Sequence, residues 1–185
     1  MTAWRNTSGR YGCWTIGMHW LMLLLIAAVY ALMELRGIFP KGSAGYDAMK
    51  QWHYMLGMLV FWLALARLAL RWSMSKPRIE PPPPAWQERL AGLVQALMYV
   101  LMLGLPLAGW LMFSAAGKPV PFFGFELPAL IGQNKDLSKQ IKEVHETVAT
   151  IGYGVIGLHA AAALFHHYWM HDNTLLRMLP GRCKS

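Results

Sequence analysis

Residues 143–170 read EVHETVATIGYGVIGLHAAAALFHHYWM. Beyond Glu146 the stretch carries no Asp, Glu, Lys or Arg, and it is long enough to cross a hydrocarbon core, which takes about 20 residues at a helical rise of about 1.5 Å. His145 and His159 lie inside it. An ionisable side chain in hydrocarbon is costly, which makes each a functional candidate. Fourteen residues separate them, almost four helical turns, so they share one face with about 21 Å between them along the axis. One helix thus offers a ligand near each membrane face.

The rest of the chain agrees with a membrane reading. Of 185 residues, 56% are hydrophobic and 14% charged, a balance that a soluble domain of this size rarely shows. Four spans are expected, near Trp14 to Leu35, Ala48 to Trp72, Arg89 to Ser114 and Glu143 to Met170. The expected fold is all-α, an integral membrane four-helix bundle, with residues 1–185 as one domain and Pro81 to Pro84 as a stiff connector between helices two and three. The first apolar run has spanning length and no small-residue cleavage site follows it. It is therefore expected to act as its own insertion signal, with Met1 retained.

Four spans put both termini and the second loop on one side. Ten basic residues fall there, including eight of the nine arginines (Arg5, Arg10, Arg67, Arg71, Arg78, Arg89, Arg177 and Arg182, with Lys76 and Lys184), against seven opposite. The positive-inside rule then puts both termini in the cytoplasm. The net charge of +8 is spread over loops on both faces, so it is not a nucleic-acid footprint. The cysteines are Cys13 and Cys183. Neither has a neighbour at ligand spacing, which argues against a disulfide framework, an iron–sulfur cluster or a Cys-rich zinc site. The absence of Cys-x-x-Cys-His argues against covalently attached haem.

Two further histidines complete the pattern. His19 lies about five residues into the first helix from the cytoplasmic side, and His53 about five into the second from the outer side. His145 is expected at the outer start of helix four. Pairing by depth gives His53 with His145 and His19 with His159. Each pair can clamp one haem iron from both axial positions, a known construction in helical bundles. Coordination by both closes the iron to oxygen and favours electron transfer. Gly57, Gly152, Gly154, Gly157 and Ala160 to Ala163 leave room for a flat porphyrin, and equally suit close helix packing.

His166 is seven residues beyond His159, on the same face and about 10 Å nearer the cytoplasm. It is either a hydrogen-bond and proton partner for a quinone or an interfacial histidine solvated by headgroups. His167 is rotated about 100° away, and His171 lies past the helix end. Trp20, Trp52, Trp72, Trp110, Tyr168 and Trp169 read as interfacial anchors. Lys41, Lys50, Lys118, Lys135, Lys139 and Lys142 could steer a small anion toward an outward haem. Nearby acids dilute their field, and solvated loops would look the same.

His19-Trp20, Met33-Glu-Leu-Arg-Gly-Ile-Phe-Pro40, Val144-His-Glu-Thr147, Gly157-Leu-His-Ala-Ala-Ala-Ala-Leu-Phe-His-His-Tyr168 and Asp172-Asn-Thr-Leu-Leu-Arg177 resemble the bacterial cytochrome b561 family, most closely its superoxide oxidase members. The resemblance covers essentially all four helices. It implies two haem b groups held by His19, His53, His145 and His159, electrons taken from superoxide at the outer haem, and ubiquinone reduced near the inner haem beside His166. It also implies a bacterial inner-membrane location. Gln51-Trp-His-Tyr-Met55 departs from the family pattern by being bulkier and more aromatic. Two other functions are compatible with the residues: a cytochrome b conduit subunit of a larger dehydrogenase or hydrogenase, with another periplasmic donor, and a transition-metal transporter. The paired depths and the few carboxylates beside the histidines argue against the transporter.

Overall fold

The structure, a computed structural model, describes residues 4–180. Four helices, α1 (Cys13–Leu35), α2 (Ala44–Ser73), α3 (Ala85–Ala115) and α4 (Lys135–Tyr168), account for most of it. All four are long and apolar enough to cross a membrane. Their outward faces are apolar, with Leu24 66% and Val100 64% exposed, the reverse of a soluble domain. A helix satisfies its own backbone hydrogen bonds, as hydrocarbon demands.

Local chemistry sets the helix starts earlier than hydropathy does. Ser43 caps α2 by accepting from the Tyr46 N–H at 3.3 Å, and Asn134 caps α4 by accepting from Leu137 N–H at 3.0 Å, both standard N-cap roles. α3 starts directly after Pro84. As a result His145 is not at the start of helix four but inside it, because the polar turns from Lys135 onward are also helical.

α1 packs on α2, α2 on α3 and α3 on α4, whereas α4 meets α1 and α2 chiefly through side chains. The central contact between α1, α2 and α3 is a cluster of Met22, Val60, Ala64 and Met102. The space between α4 and the first two helices is where the histidines meet.

At one end, here the hairpin end, a short antiparallel ribbon joins α3 to α4: β1 (Val120–Phe122) pairs with β2 (Phe125–Leu127). Its two-residue turn places Phe123 at φ 46° and Gly124 at φ 91°, the left-handed pair that a tight hairpin requires. Trp110 is half-buried and its Nε1–H donates to the Pro128 carbonyl at 2.9 Å, so it fastens this loop to α3 and is not a free interfacial anchor.

The opposite, terminal end is closed by three segments. The Arg78 N–H donates to the Ser8 carbonyl at 2.9 Å, and Asn173 N–H to the Glu80 carbonyl at 3.1 Å. Arg10 donates to the Leu179 carbonyl at 2.9 Å. Trp20 is part-buried and donates to Met178 carbonyl at 2.9 Å, so it ties the last segment to α1 and is not a free interfacial anchor. Trp52, Trp72, Tyr168 and Trp169 are exposed. Cys13 opens α1 and is not a free thiol. Met1, Cys183 and two of the basic residues counted for orientation, Arg182 and Lys184, lie outside the described residues.

Candidate functional site

α2 and α4 bring His53 and His145 together near the hairpin end, with ring centroids 6.4 Å apart. α1 and α4 bring His19 and His159 together toward the terminal end, at 6.2 Å. Two imidazoles that ligate one metal from opposite sides through bonds of about 2.0–2.1 Å have centroids about 6 Å apart. Both spacings match that arrangement, and both pairs are those expected from depth. Among the described residues no three of His, Cys, Asp or Glu converge on one point; the histidines meet in twos.

The hairpin-end pair borders a cavity of about 490 Å³, lined among others by Tyr30, Gly57, Leu105, Gly109 and Trp110, within the range of cofactor sites. His53 Nδ1 lies 2.9 Å from the Val29 carbonyl. A carbonyl only accepts, so the proton sits on Nδ1 and the Nε2 lone pair is free for a metal, the usual arrangement behind a ligating histidine. His145 Nδ1 is buried beside the Leu105 carbonyl, short of a well-formed hydrogen bond.

Gly57, Gly154 and Gly157 face open space, so no neighbouring helix explains their size, whereas a side chain at Gly152 would meet the Tyr30 hydroxyl. Tyr30 donates to the Ala149 carbonyl at 2.9 Å. Gly152 is therefore a helix-packing glycine, and the other three leave room for a flat group. The distances, the free Nε2, the cavity and the open glycines all fit a haem.

At the terminal-end pair, Arg67 Nη2 is 3.1 Å from His19 Nδ1. A guanidinium only donates, so as it stands this ring nitrogen accepts and the ring proton is on Nε2. For His19 to ligate through Nε2 as His53 can, that proton would have to move to Nδ1 and Arg67 turn aside from it. Arg67 follows His53 on α2 by the same fourteen residues that separate His159 from His145 on α4. Sequence reading counted Arg67 only among the basic residues of the terminal side; its position inside the α2 span was the signal that it belongs to the site. Between the pairs lies an apolar void of about 60 Å³, bordered by Ile26, Val60, Met102 and Ile156 among others.

His166 sits at the end of α4, its side chain 16% exposed, and its Nδ1 is 2.5 Å from Asp172 Oδ2. The Asp172 side chain is 2% exposed, and its Oδ1 accepts from the Thr174 N–H at 2.8 Å. Burial raises the Asp172 carboxyl, but the hydrogen bonds from His166 and Thr174 outweigh it and hold the group below the ordinary value. Sequence reading missed Asp172, since a contact across the turn after a helix has no periodic signature. His167 meets Tyr168 edge to face, and His171 occupies a left-handed turn at φ 52°.

Of the lysines considered for anion steering, Lys50 and Lys142 line the hairpin-end cavity with Arg36. Lys50 also pairs with Asp47 at 3.6 Å and Lys142 with Glu146 at 3.4 Å, which dilutes their field. Glu34, on the same cavity, accepts from the Tyr153 hydroxyl at 2.8 Å.

The sequence matches the profile of prokaryotic cytochrome b561 over residues 10–181. It is similar to cytochrome b561 homolog 1 of Escherichia coli (strain K12), 46% identical over 94% of this chain and 98% of that protein. It is also similar to the probable superoxide oxidase CybB of Yersinia pestis, 37% identical over 94% and 97%, and to cytochrome b561 homolog 2 of Escherichia coli (strain K12), 28% identical over 97% and 96%.

Proposed function

The chain belongs to the prokaryotic cytochrome b561 family, whose members bind haem b and transfer electrons in bacterial membranes. From that premise we propose that it holds two haem b groups and carries electrons from superoxide on the outer side of the inner membrane to ubiquinone on the cytoplasmic side. The observation that carries this reading is the pair of histidine couples at 6.4 and 6.2 Å, bridging α4 to α2 and to α1. His53 and His145 would hold one haem at the hairpin end, and His19 and His159 the other at the terminal end. The name of the Yersinia relative supports superoxide as donor.

Bound haem b supplies a one-electron ferric–ferrous couple at each site. The chain's own residues supply the rest. The Val29 carbonyl holds His53 Nδ1 and leaves Nε2 to take the iron when haem is bound. The apolar lining between the pairs, Ile26, Val60, Met102 and Ile156, excludes water and ions from the path. Lys50, Lys142 and Arg36 border the hairpin-end cavity and attract a small anion at a rate that falls with salt. His166 offers a ring nitrogen to a quinone carbonyl at the terminal end. The excess of basic residues there, read with the positive-inside rule, supports placing both termini in the cytoplasm.

The test is the detergent-purified holoprotein mixed with superoxide and then ubiquinone while the haem spectrum is followed. Reduction by superoxide and reoxidation with formation of quinol are expected. Two haems without superoxide reactivity would assign the chain instead as an electron conduit for a partner complex, and absence of haem would contradict both.

A further inference from the structure

Two charged side chains are buried among the described residues, Asp172 and Arg177, and both lie in the segment that folds back after α4. Arg177 serves the fold: it donates to the Pro77 and Arg78 carbonyls at 2.6 and 3.0 Å and fixes that segment to the connector. Asp172 is different, because its two oxygens have different partners. Oδ1 caps the turn through the Thr174 N–H, a role that any short polar acceptor fills. Oδ2 faces His166 Nδ1 at 2.5 Å. Among the described residues Nδ1 is the one nitrogen of this ring with a hydrogen bond. Nε2, on the far side of the ring, is left available.

We propose that Asp172 is a positioning residue for quinone reduction: it holds the ring proton on Nδ1, presents Nε2 to the quinone carbonyl, and stabilises the imidazolium that donates from Nε2. A carboxylate behind an imidazole fixes tautomer and orientation in this way wherever the ring must act through its other nitrogen. Reduction of a quinone to a quinol consumes two electrons, supplied by the haems, and two protons. For the first, the Nε2–H bond breaks and an O–H bond forms on the carbonyl oxygen beside it; the second proton reaches the far carbonyl oxygen from water. The ring is left neutral with its hydrogen on Nδ1, and water at the terminal end reloads Nε2. The inference rests on the reading that quinone is reduced at this end.

The test uses holoprotein reduced with dithionite and mixed with a short-chain ubiquinone, with haem reoxidation followed over a range of quinone concentrations. Asp172→Asn keeps an oxygen for Thr174 and removes the charge. Its maximal rate should fall about 10- to 100-fold, the usual loss for a missing outer-shell partner, with the half-saturating quinone concentration little changed. Asp172→Glu should recover part of the rate. His166→Gln should show a comparable loss, and combining it with Asp172→Asn should add little further. A slow His166→Gln beside a wild-type Asp172→Asn would overturn the role of Asp172 while leaving the quinone site standing. Wild-type rates in His166→Gln would overturn the quinone site itself. If Asp172→Asn lost haem, the nitrogen-15 spectrum of His166 in the unaltered protein decides: a proton on Nδ1 supports the proposal, and a neutral ring protonated on Nε2 alone contradicts it.

Discussion

The two histidine couples have nearly the same ring separation, 6.4 and 6.2 Å, yet their second partners are chemically opposite. At the hairpin end, His53 faces the Val29 carbonyl, which draws on the Nδ1 proton and makes the ligand more basic. A more basic ligand favours ferric iron. At the terminal end, His19 faces the Arg67 guanidinium, a fixed positive charge that favours ferrous iron and opposes ligand basicity. On the proposed two-haem reading the difference would give the bundle a direction: a haem near the basic terminal end would be the stronger electron acceptor. Two like histidine couples would be made unequal by the helix that supplies neither histidine, α1 at the hairpin end and α2 at the terminal end.

The largest effects should come from removing the ligands. His53→Leu or His145→Leu is expected to cost one haem per chain and leave the other intact, with His19→Leu and His159→Leu as the reciprocal pair, read by pyridine haemochrome against protein concentration. Loss of both haems from every variant would erase the distinction between the couples.

Arg67→Gln sharpens the comparison without touching a ligand. It should lower one midpoint potential by on the order of 50 mV, the effect of a unit charge several ångströms away in a protein interior, and leave the other unmoved in a spectroelectrochemical titration. An unchanged pair of midpoints would show that Arg67 does not set the asymmetry.

Gly152→Ala probes the contact between α1 and α4. Its new methyl meets the Tyr30 hydroxyl, so a destabilisation of about 1–3 kcal/mol is expected in thermal unfolding, whereas Gly154→Ala and Gly157→Ala meet no neighbouring side chain and should act instead on haem content.

The smallest effect concerns the terminal cap. The folded Asp172 value lies below the ordinary one, so its stabilisation is complete above that ordinary value, about pH 4. It is lost as pH falls through the folded value. The unfolding temperature of the unaltered protein should therefore drop more steeply below about pH 4 than that of Asp172→Asn. Parallel profiles would remove Asp172 from the acid response.

The sequence reading of this bundle succeeded where periodicity carries the information. Four apolar runs gave four helices, and the fourteen-residue spacing on α4, with the depths of His19 and His53, yielded both couples that the structure brings together. It fell short where contacts depend on the chain crossing between helices. α4 starts at Lys135 because Asn134 caps it, a signal overridden in reading by the polarity of the turns that follow. The ribbon at Phe123 and Gly124 depends on two left-handed residues, of which a phenylalanine gives no warning. Asp172 meets His166 only because the chain reverses after Trp169, and Trp20 looked like a lipid anchor until the last segment folded over it. Arg67 was legible, since it repeats the histidine spacing inside a span, and would have been found by asking of α2 what was asked of α4.

The most direct measurement is a redox titration of the purified holoprotein beside His159→Leu and His53→Leu. Two one-electron waves are expected in the unaltered protein, with the higher-potential wave missing from His159→Leu and the lower from His53→Leu. A single wave, or the higher wave missing from His53→Leu, would contradict two unequal haem sites ordered toward the terminal end.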